Sequence, residues 1–173
     1  MTLARQIENL SKTVQKDPIR SYSGKVCHNE GLLFTTDGYR LTWITPNEPL
    51  PGPGTFSASG FEENKIPPMV KAVISSITEK SPLFTLDGSN LKYLLLLCKS
   101  LKSNKKLAIG ITKDKTIFVT HTDEVGRFID TYFFNPDSVN AALCYEPTWA
   151  NVYEDTLYFS NDEYQTITTA IKG

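Results

Sequence analysis

After residue 81 the chain runs twice through the same order of elements, and no other feature of the sequence narrows the fold as far. Pro82 to Leu86 reads as a strand and Asn90 to Leu101 as a helix that Asp87 or Ser89 can cap. Lys106 to Thr112 and Thr116 to Thr122 alternate as strands around the tight turn Lys113-Asp114-Lys115. The order then returns. Arg127 to Phe134 reads as a strand, and Asn135 caps a helix over Pro136 to Tyr145 with proline at its first position. Ala150 to Tyr153, Thr156 to Ser160 and Tyr164 to Ile171 follow as strands. A fold that repeats one helix and several strands every fifty or so residues, roughly, is α+β, with its helices gathered on one side of antiparallel sheets.

The first forty-five positions read as a third copy lacking its first strand. Leu3, Ile7, Leu10 and Val14 recur at helical spacing, Arg5, Lys12 and Lys16 fall on other faces, and Pro18 ends the helix near Lys16 or Asp17. Ser21 to His28, Leu32 to Thr36 and Tyr39 to Thr45 read as strands, separated by turns at Asn29-Glu30-Gly31 and Asp37-Gly38. Pro46 to Gly54 holds four prolines and two glycines and must be a loop. Thr55 to Phe61 reads as a short strand, and Met69, Val70, Val73, Ile74 and Ile77 place a helix over Pro68 to Thr78. The expected organisation is a unit over 1–45, a Pro/Gly-rich linker or insertion with a short helix over 46–80, and a domain of two units over 81–173.

Composition excludes some classes of function. In 173 residues, 40% hydrophobic and 21% charged content describe a chain that folds around a core. A net charge of −1 means that any contact with nucleic acid comes from charge segregated on one surface. Cys27, Cys98 and Cys144 are widely spaced and fit buried positions in a reducing compartment. The start Met1-Thr2-Leu3-Ala4-Arg5-Gln6 runs into polar helix without a leader, and Leu91 to Leu101 is too short to span a bilayer, so the expected location is cytoplasmic with no membrane contact.

Catalytic constellations are poor. His28 and His121 lie far apart, and Cys27 and His28 point to opposite faces of one strand. Metal-ligand spacings and phosphate-binding glycine loops are missing, and Gly52-Pro53-Gly54 lacks the lysine and following helix such a loop needs. The expectation is a protein that is not an enzyme and uses no metal and no cofactor.

The run Phe34-Thr35-Thr36-Asp37-Gly38-Tyr39-Arg40-Leu41-Thr42-Trp43 follows a helix and strands, and in that setting it resembles the repeating unit of the bacterial sliding clamp, the β subunit of DNA polymerase III. Three further stretches are similar to the clamp: Leu10-Ser11-Lys12-Thr13-Val14 through Asp17-Pro18-Ile19-Arg20 to Gly24; Phe133-Phe134-Asn135-Pro136 through Leu143; and Asn64-Lys65-Ile66-Pro67. The resemblance touches most of the chain at low identity. It implies a non-catalytic accessory protein of DNA replication, a processivity factor that holds double-stranded DNA without reading bases and tethers a polymerase through a clamp-binding peptide. Clamps place two units in a domain and six in a protomer. A chain of about three units would then form a homo-oligomer, four copies matching the twelve units of the ring.

Two sets of residues follow from the resemblance. Thr36, Gly38, Tyr39, Arg40, Leu41 and Pro67 match the partner-peptide pocket, and Arg5, Lys12, Lys16, Arg20, Lys92, Lys99 and Lys102 would face DNA. Each set has a plainer reading. The lysines are also what the solvated faces of amphipathic helices carry. Thr36 to Leu41 also reads as a β-corner in which Asp37 and Gly38 turn, Tyr39 and Trp43 pack, and Arg40 pairs with a surface acid. Asp137, Glu146, Glu154, Asp155, Asp162 and Glu163 against a lone Lys172 suit the alternative function, a clamp-fold protein–protein interaction module that does not encircle DNA. An unrelated small α+β domain is the remaining reading.

Overall fold

Strand register shows how the repeated units join. The computed structural model of the protein describes residues 1–14, 22–63, 66–101, 106–122 and 130–171. The N-terminal unit comprises α1 (Leu3–Ser11), β1 (Val26–Asn29), β2 (Leu32–Thr36) and β3 (Arg40–Ile44). The middle segment forms β4 (Gly54–Ser57), β5 (Gly60–Glu62) and α2 (Lys71–Thr78). The first C-terminal unit is β6 (Phe84–Asp87), α3 (Gly88–Leu101), β7 (Leu107–Thr112) and β8 (Ile117–His121). The second is β9 (Thr131–Phe134), α4 (Pro136–Leu143), β10 (Trp149–Val152), β11 (Thr156–Ser160) and β12 (Gln165–Thr169).

The two C-terminal units exchange their first strands. β6 pairs with β10 of the other unit, and β9 pairs with β7. A nine-stranded sheet runs β5-β4-β1-β2-β3-β12-β11-β10-β6, and a three-stranded sheet runs β8-β7-β9. All described pairs are antiparallel. The seam between the N-terminal unit and the C-terminal region is the β3–β12 ladder, Trp43 opposite Gln165 through Arg40 opposite Thr168.

Residues directly opposite each other across a ladder share a face of the sheet. The row Leu86, Ala150, Phe159, Thr166, Thr42 and Thr35 therefore marks one face across six strands. On that face Leu86, Ala150 and Phe159 pack with Leu91, Leu94 and Cys98 of α3 and with Val139, Ala142 and Leu143 of α4, under a lid of Ile109, Ile111 and Phe134 from the small sheet. Leu10 of α1 meets Val26, Leu33, Ile44 and Tyr164 on the same face. The opposite face carries Cys27, Phe34, Leu41, Trp43 and Ile167, and α2 covers it through Val70, Ile74 and Ile77. The three helices of the repeated units thus lie on one side, as the pattern predicts, and the helix of the middle segment lies on the other.

Two differences have local causes. The single strand expected over Thr55 to Phe61 is a hairpin, because Gly60 at φ +116 turns the chain and sets Ser57 opposite it. α3 follows β6 directly, with Gly88 at φ +35 carrying the change of direction. The expected caps hold elsewhere: the Asn135 side chain accepts from the Asp137 N–H at 2.8 Å, with Pro136 in the first turn.

Candidate functional site

The helix side of the large sheet is built by stripes. α1 turns Gln6 and Leu10 inward, and the Gln6 side chain ties the helix to the end of β3 by donating to the Thr45 carbonyl at 3.0 Å and accepting from the Asn47 N–H at 2.9 Å. Arg5, Glu8 and Lys12 stay exposed. α3 buries Leu91, Leu94, Cys98 and Leu101 and leaves Lys92, Tyr93, Leu96 and Lys99 outside. α4 buries Pro136, Val139, Ala142 and Leu143 and exposes Asp137. Of the residues expected to face DNA, Arg5, Lys92 and Lys99 therefore stand on exposed helix surfaces, Lys12 is exposed in the turn just after α1, and Lys16, Arg20 and Lys102 lie outside the described residues.

Tyr145 fastens the end of α4 to α1. Its hydroxyl donates to the Asn9 carbonyl at 3.2 Å and shares a 2.5 Å hydrogen bond with the Thr13 hydroxyl, and its ring stacks on Tyr164 at 4.7 Å. Burial pushes the Tyr145 hydroxyl up to about 12, so it remains a donor. Cys144 differs from the expectation of three buried thiols: it falls after the last packed turn of α4 and is exposed, whereas Cys27 and Cys98 are buried.

The corner at Thr36 to Leu41 is built by side chains binding their own backbone. The Thr36 hydroxyl accepts from the Gly38 N–H at 3.1 Å, and one Asp37 carboxylate oxygen accepts from the N–H groups of Tyr39 at 2.8 Å and Arg40 at 2.7 Å. Gly38 sits at φ +91, a conformation that favours glycine. Tyr39 is 69% exposed, and its carbonyl accepts from both the N–H and the hydroxyl of Thr169.

Beyond the corner the six pocket residues diverge. Successive residues of a strand face opposite ways. Arg40 turns to the helix side, 5% exposed, and its guanidinium donates to the Thr13 carbonyl while Nε meets no acceptor among the described residues. Burial lowers the affinity of this guanidinium for its proton, and Asp37 opposes that effect. Leu41 turns to the other side, against Trp43, Phe34 and Ile167. Pro67 is buried at the far end of β2, its carbonyl accepting from the Asn29 amide at 2.9 Å. β2 is about 13 Å long at roughly 3.3 Å per residue, so Pro67 and Gly38 stand at opposite ends of the same strand.

A tether that the sequence conceals lies beside Pro67. Glu30, at φ +53, accepts from the N–H groups of Val70 at 2.6 Å and Lys71 at 2.8 Å, where α2 starts without a side-chain cap of its own. In sequence Asn29-Glu30-Gly31 signals only a turn, because its partners are forty residues away. The backbone bonds to Lys71 and Val70 hold the Glu30 carboxyl below its ordinary 4.5. Its stabilising contribution is fully present above 4.5 and disappears as the pH falls through the lower folded value. Glu30→Gln is expected to lower the urea midpoint at neutral pH, and the gap from wild type should close in acid below both values; a gap that persists there would mean that the carboxylate charge does not hold α2.

Comparison with known proteins places this architecture. No protein-family model matches the chain, and no curated protein matches it in sequence. Solved structures do match. The DNA polymerase III β chain of Streptococcus pneumoniae superposes with a TM-score of 0.63 at 14% identity, over 99% of this chain and 63% of that one. The β subunit from Pseudomonas aeruginosa gives 0.58 at 9% identity, over 100% and 65%. The Helicobacter pylori β clamp bound to a DNA ligase peptide gives 0.56 at 11% identity, over 99% and 63%. The chain has the fold of the bacterial β clamp and spans less than two thirds of the length of the clamps it matches.

Proposed function

We propose that the chain works as a clamp-like accessory protein of DNA replication, holding double-stranded DNA against the helix side of its large sheet without reading bases and tethering a polymerase or another peptide-bearing partner. The observation that carries this reading is the placement of α1, α3 and α4 on one side of one sheet with Arg5, Lys12, Lys92 and Lys99 exposed. Lysine and arginine on helix surfaces meet phosphates as point charges, which gives affinity without sequence preference. At a net charge of −1, such segregation is the route open to binding DNA. The role is non-catalytic and cytoplasmic, in a homo-oligomer that closes around the duplex. Among the described residues no helix is long and apolar enough to cross a membrane.

The H. pylori clamp holds a DNA ligase peptide. By analogy a partner peptide meets this chain at the outside of the corner, where Thr36, Gly38 and Tyr39 are accessible and Arg40 and Leu41 support the backbone from within. Retention on a nicked plasmid circle and on the same plasmid cut once tests the reading. The protein should stay on circles and run off linear ends. Loss from both forms alike would favour the second reading, an interaction module that does not encircle DNA. Asp137 and Glu146, exposed on and just after α4, support that alternative because they oppose phosphate on part of the same side.

A further inference from the structure

The two sides of β6 and β10 differ. Phe84, Leu86, Ala150 and Val152 are buried with α3 and α4, whereas Thr85, Asp87, Trp149 and Asn151 alternate with them and face the other way. That is the side on which α2 covers Phe34, Leu41 and Ile167 farther along the sheet. Thr85 and Asp87 are exposed and Trp149 and Asn151 half-buried, so the cover that α2 gives stops short of them.

An aromatic row leads out to this end. Tyr158 stacks on the buried Trp43 with ring centres 5.9 Å apart and planes 4° apart, and Trp149 meets Tyr158 edge-on at 5.4 Å and 84°. These are the two tryptophans of the chain. The Trp149 indole N–H meets no acceptor among the described residues. Asp87 lies directly opposite Trp149 in the β6–β10 ladder, so its carboxylate and the ring share one face. Three further carboxylates stand at the same end of the strands. Asp162 and Glu163 are exposed in the turn after β11, whose last residue, Ser160, pairs with Trp149. The Asn161 side chain holds the exposed Glu146 against that turn by donating to the Tyr145 carbonyl at 2.6 Å and the Glu146 carbonyl at 3.4 Å. None of the four acids has an ion-pair partner among the described residues, and positions 128 to 171 hold no lysine or arginine. Each of these residues, with its neighbours in the chain, is described.

We infer that this end of the sheet binds an extended, proline-containing segment of a partner protein through its lysine or arginine side chains. Charge complementarity selects the occupant. A guanidinium laid over Trp149 meets the ring face and the Asp87 carboxylate together. The same four acids repel phosphate, so nucleic acid is not the occupant. The uncharged part of the surface suits a polyproline strand, which lays its rings on tyrosine and tryptophan and presents carbonyls to an indole N–H. Such a strand is already extended and loses little conformational freedom on docking. β3 carries the Thr36 to Leu41 corner at its start and Trp43 near its end, so this surface is separate from the corner. It also lies across the sheet from the helices, and docking here is independent of DNA retention.

Titration of the full chain with a synthetic peptide of four Pro-Pro-Arg repeats, capped at both ends, tests this by calorimetry and by tryptophan emission. Binding should saturate and change the emission. Glutamine in place of the peptide's arginines should weaken it at least about tenfold, and glutamate should abolish it. Asp87→Asn, at an exposed side chain, should weaken binding about threefold. Trp149→Leu should weaken it at least about tenfold. Glu154→Gln, an exposed acid at the other end of the same hairpin, should leave it unchanged. Thermal melting checks folding, and Asp87→Asn decides alone where Trp149→Leu melts early. No saturable binding up to about 1 mM, equal binding of the glutamine peptide, or an undiminished affinity in Asp87→Asn would overturn the inference. Emission that shifts on diluting the protein alone would also overturn it, by giving the face to a second copy of the chain.

Discussion

Replacing Arg5, Lys12, Lys92 and Lys99 together by glutamine is expected to flatten the salt dependence of duplex binding by about 3.6 in log–log slope, at roughly 0.9 for each phosphate no longer neutralised. Between 50 and 200 mM salt, neutralising four phosphates is worth about a hundredfold in affinity, which sets the size of effect to look for. The prediction follows from exposure: Arg5, Lys92 and Lys99 stand in solvent on helices and Lys12 in the turn after α1, so their loss removes charge without opening the core. Fluorescence anisotropy with a duplex of random sequence, repeated over a salt series, measures the slope. Uniform weakening across sequences is expected, because phosphates carry no sequence information. An unchanged slope with an unchanged melting temperature would remove the helix side as the DNA-facing surface.

Phe34→Ala should cost about 3–5 kcal/mol, the usual loss for a fully buried phenylalanine, and lower the melting temperature by roughly 10 °C in a chain of this size. Phe34 is 0% exposed and lies in the cluster with Trp43, Val70 and Ile167 that joins β2, β3, β12 and α2. The transition should remain single. β12 belongs to the C-terminal region yet pairs with β3, so the two regions share a ladder and buried side chains on both faces of it. Scanning calorimetry gives both quantities. Two separated transitions in the variant would mean that the N-terminal unit melts on its own and that the seam contributes little.

Much of the local structure was legible in the residues, and for local reasons. Leu91, Leu94, Cys98 and Leu101 follow helical steps, Ile109 and Ile111 alternate, and Asn135-Pro136 starts a helix through chemistry confined to four residues. The twofold recurrence of strand, helix and strands was visible because it is an order of such local signals. The corner at Thr36 to Arg40 was legible as well, since Asp37 and Gly38 act on their immediate neighbours.

The candidate site was legible only in part. The exposure of Arg5, Lys12, Lys92 and Lys99 follows from helix periodicity, but whether α1 and α3 share a side depends on the β3–β12 register, which joins residues more than a hundred positions apart. A slip of one residue there would reverse every side chain of the N-terminal strands relative to the rest. The same alternation sends Arg40 to one face and Leu41 to the other, although they are neighbours in a motif that reads as one pocket. Pro67 stands away from the corner because Asn29 and Glu30 hold the α2 segment at the other end of β2.

Periodicity, capping and turn chemistry, all acting within a few residues, thus specified the helices, the strands and the repeat of the unit. The exchange of β6 and β9, the pairing of β4 beside β1 and the side on which α2 lies came from pairing and packing between distant segments. Those choices depend on which ladder and which apolar stripe find each other in space, and the spacing of residues along a chain does not encode that directly.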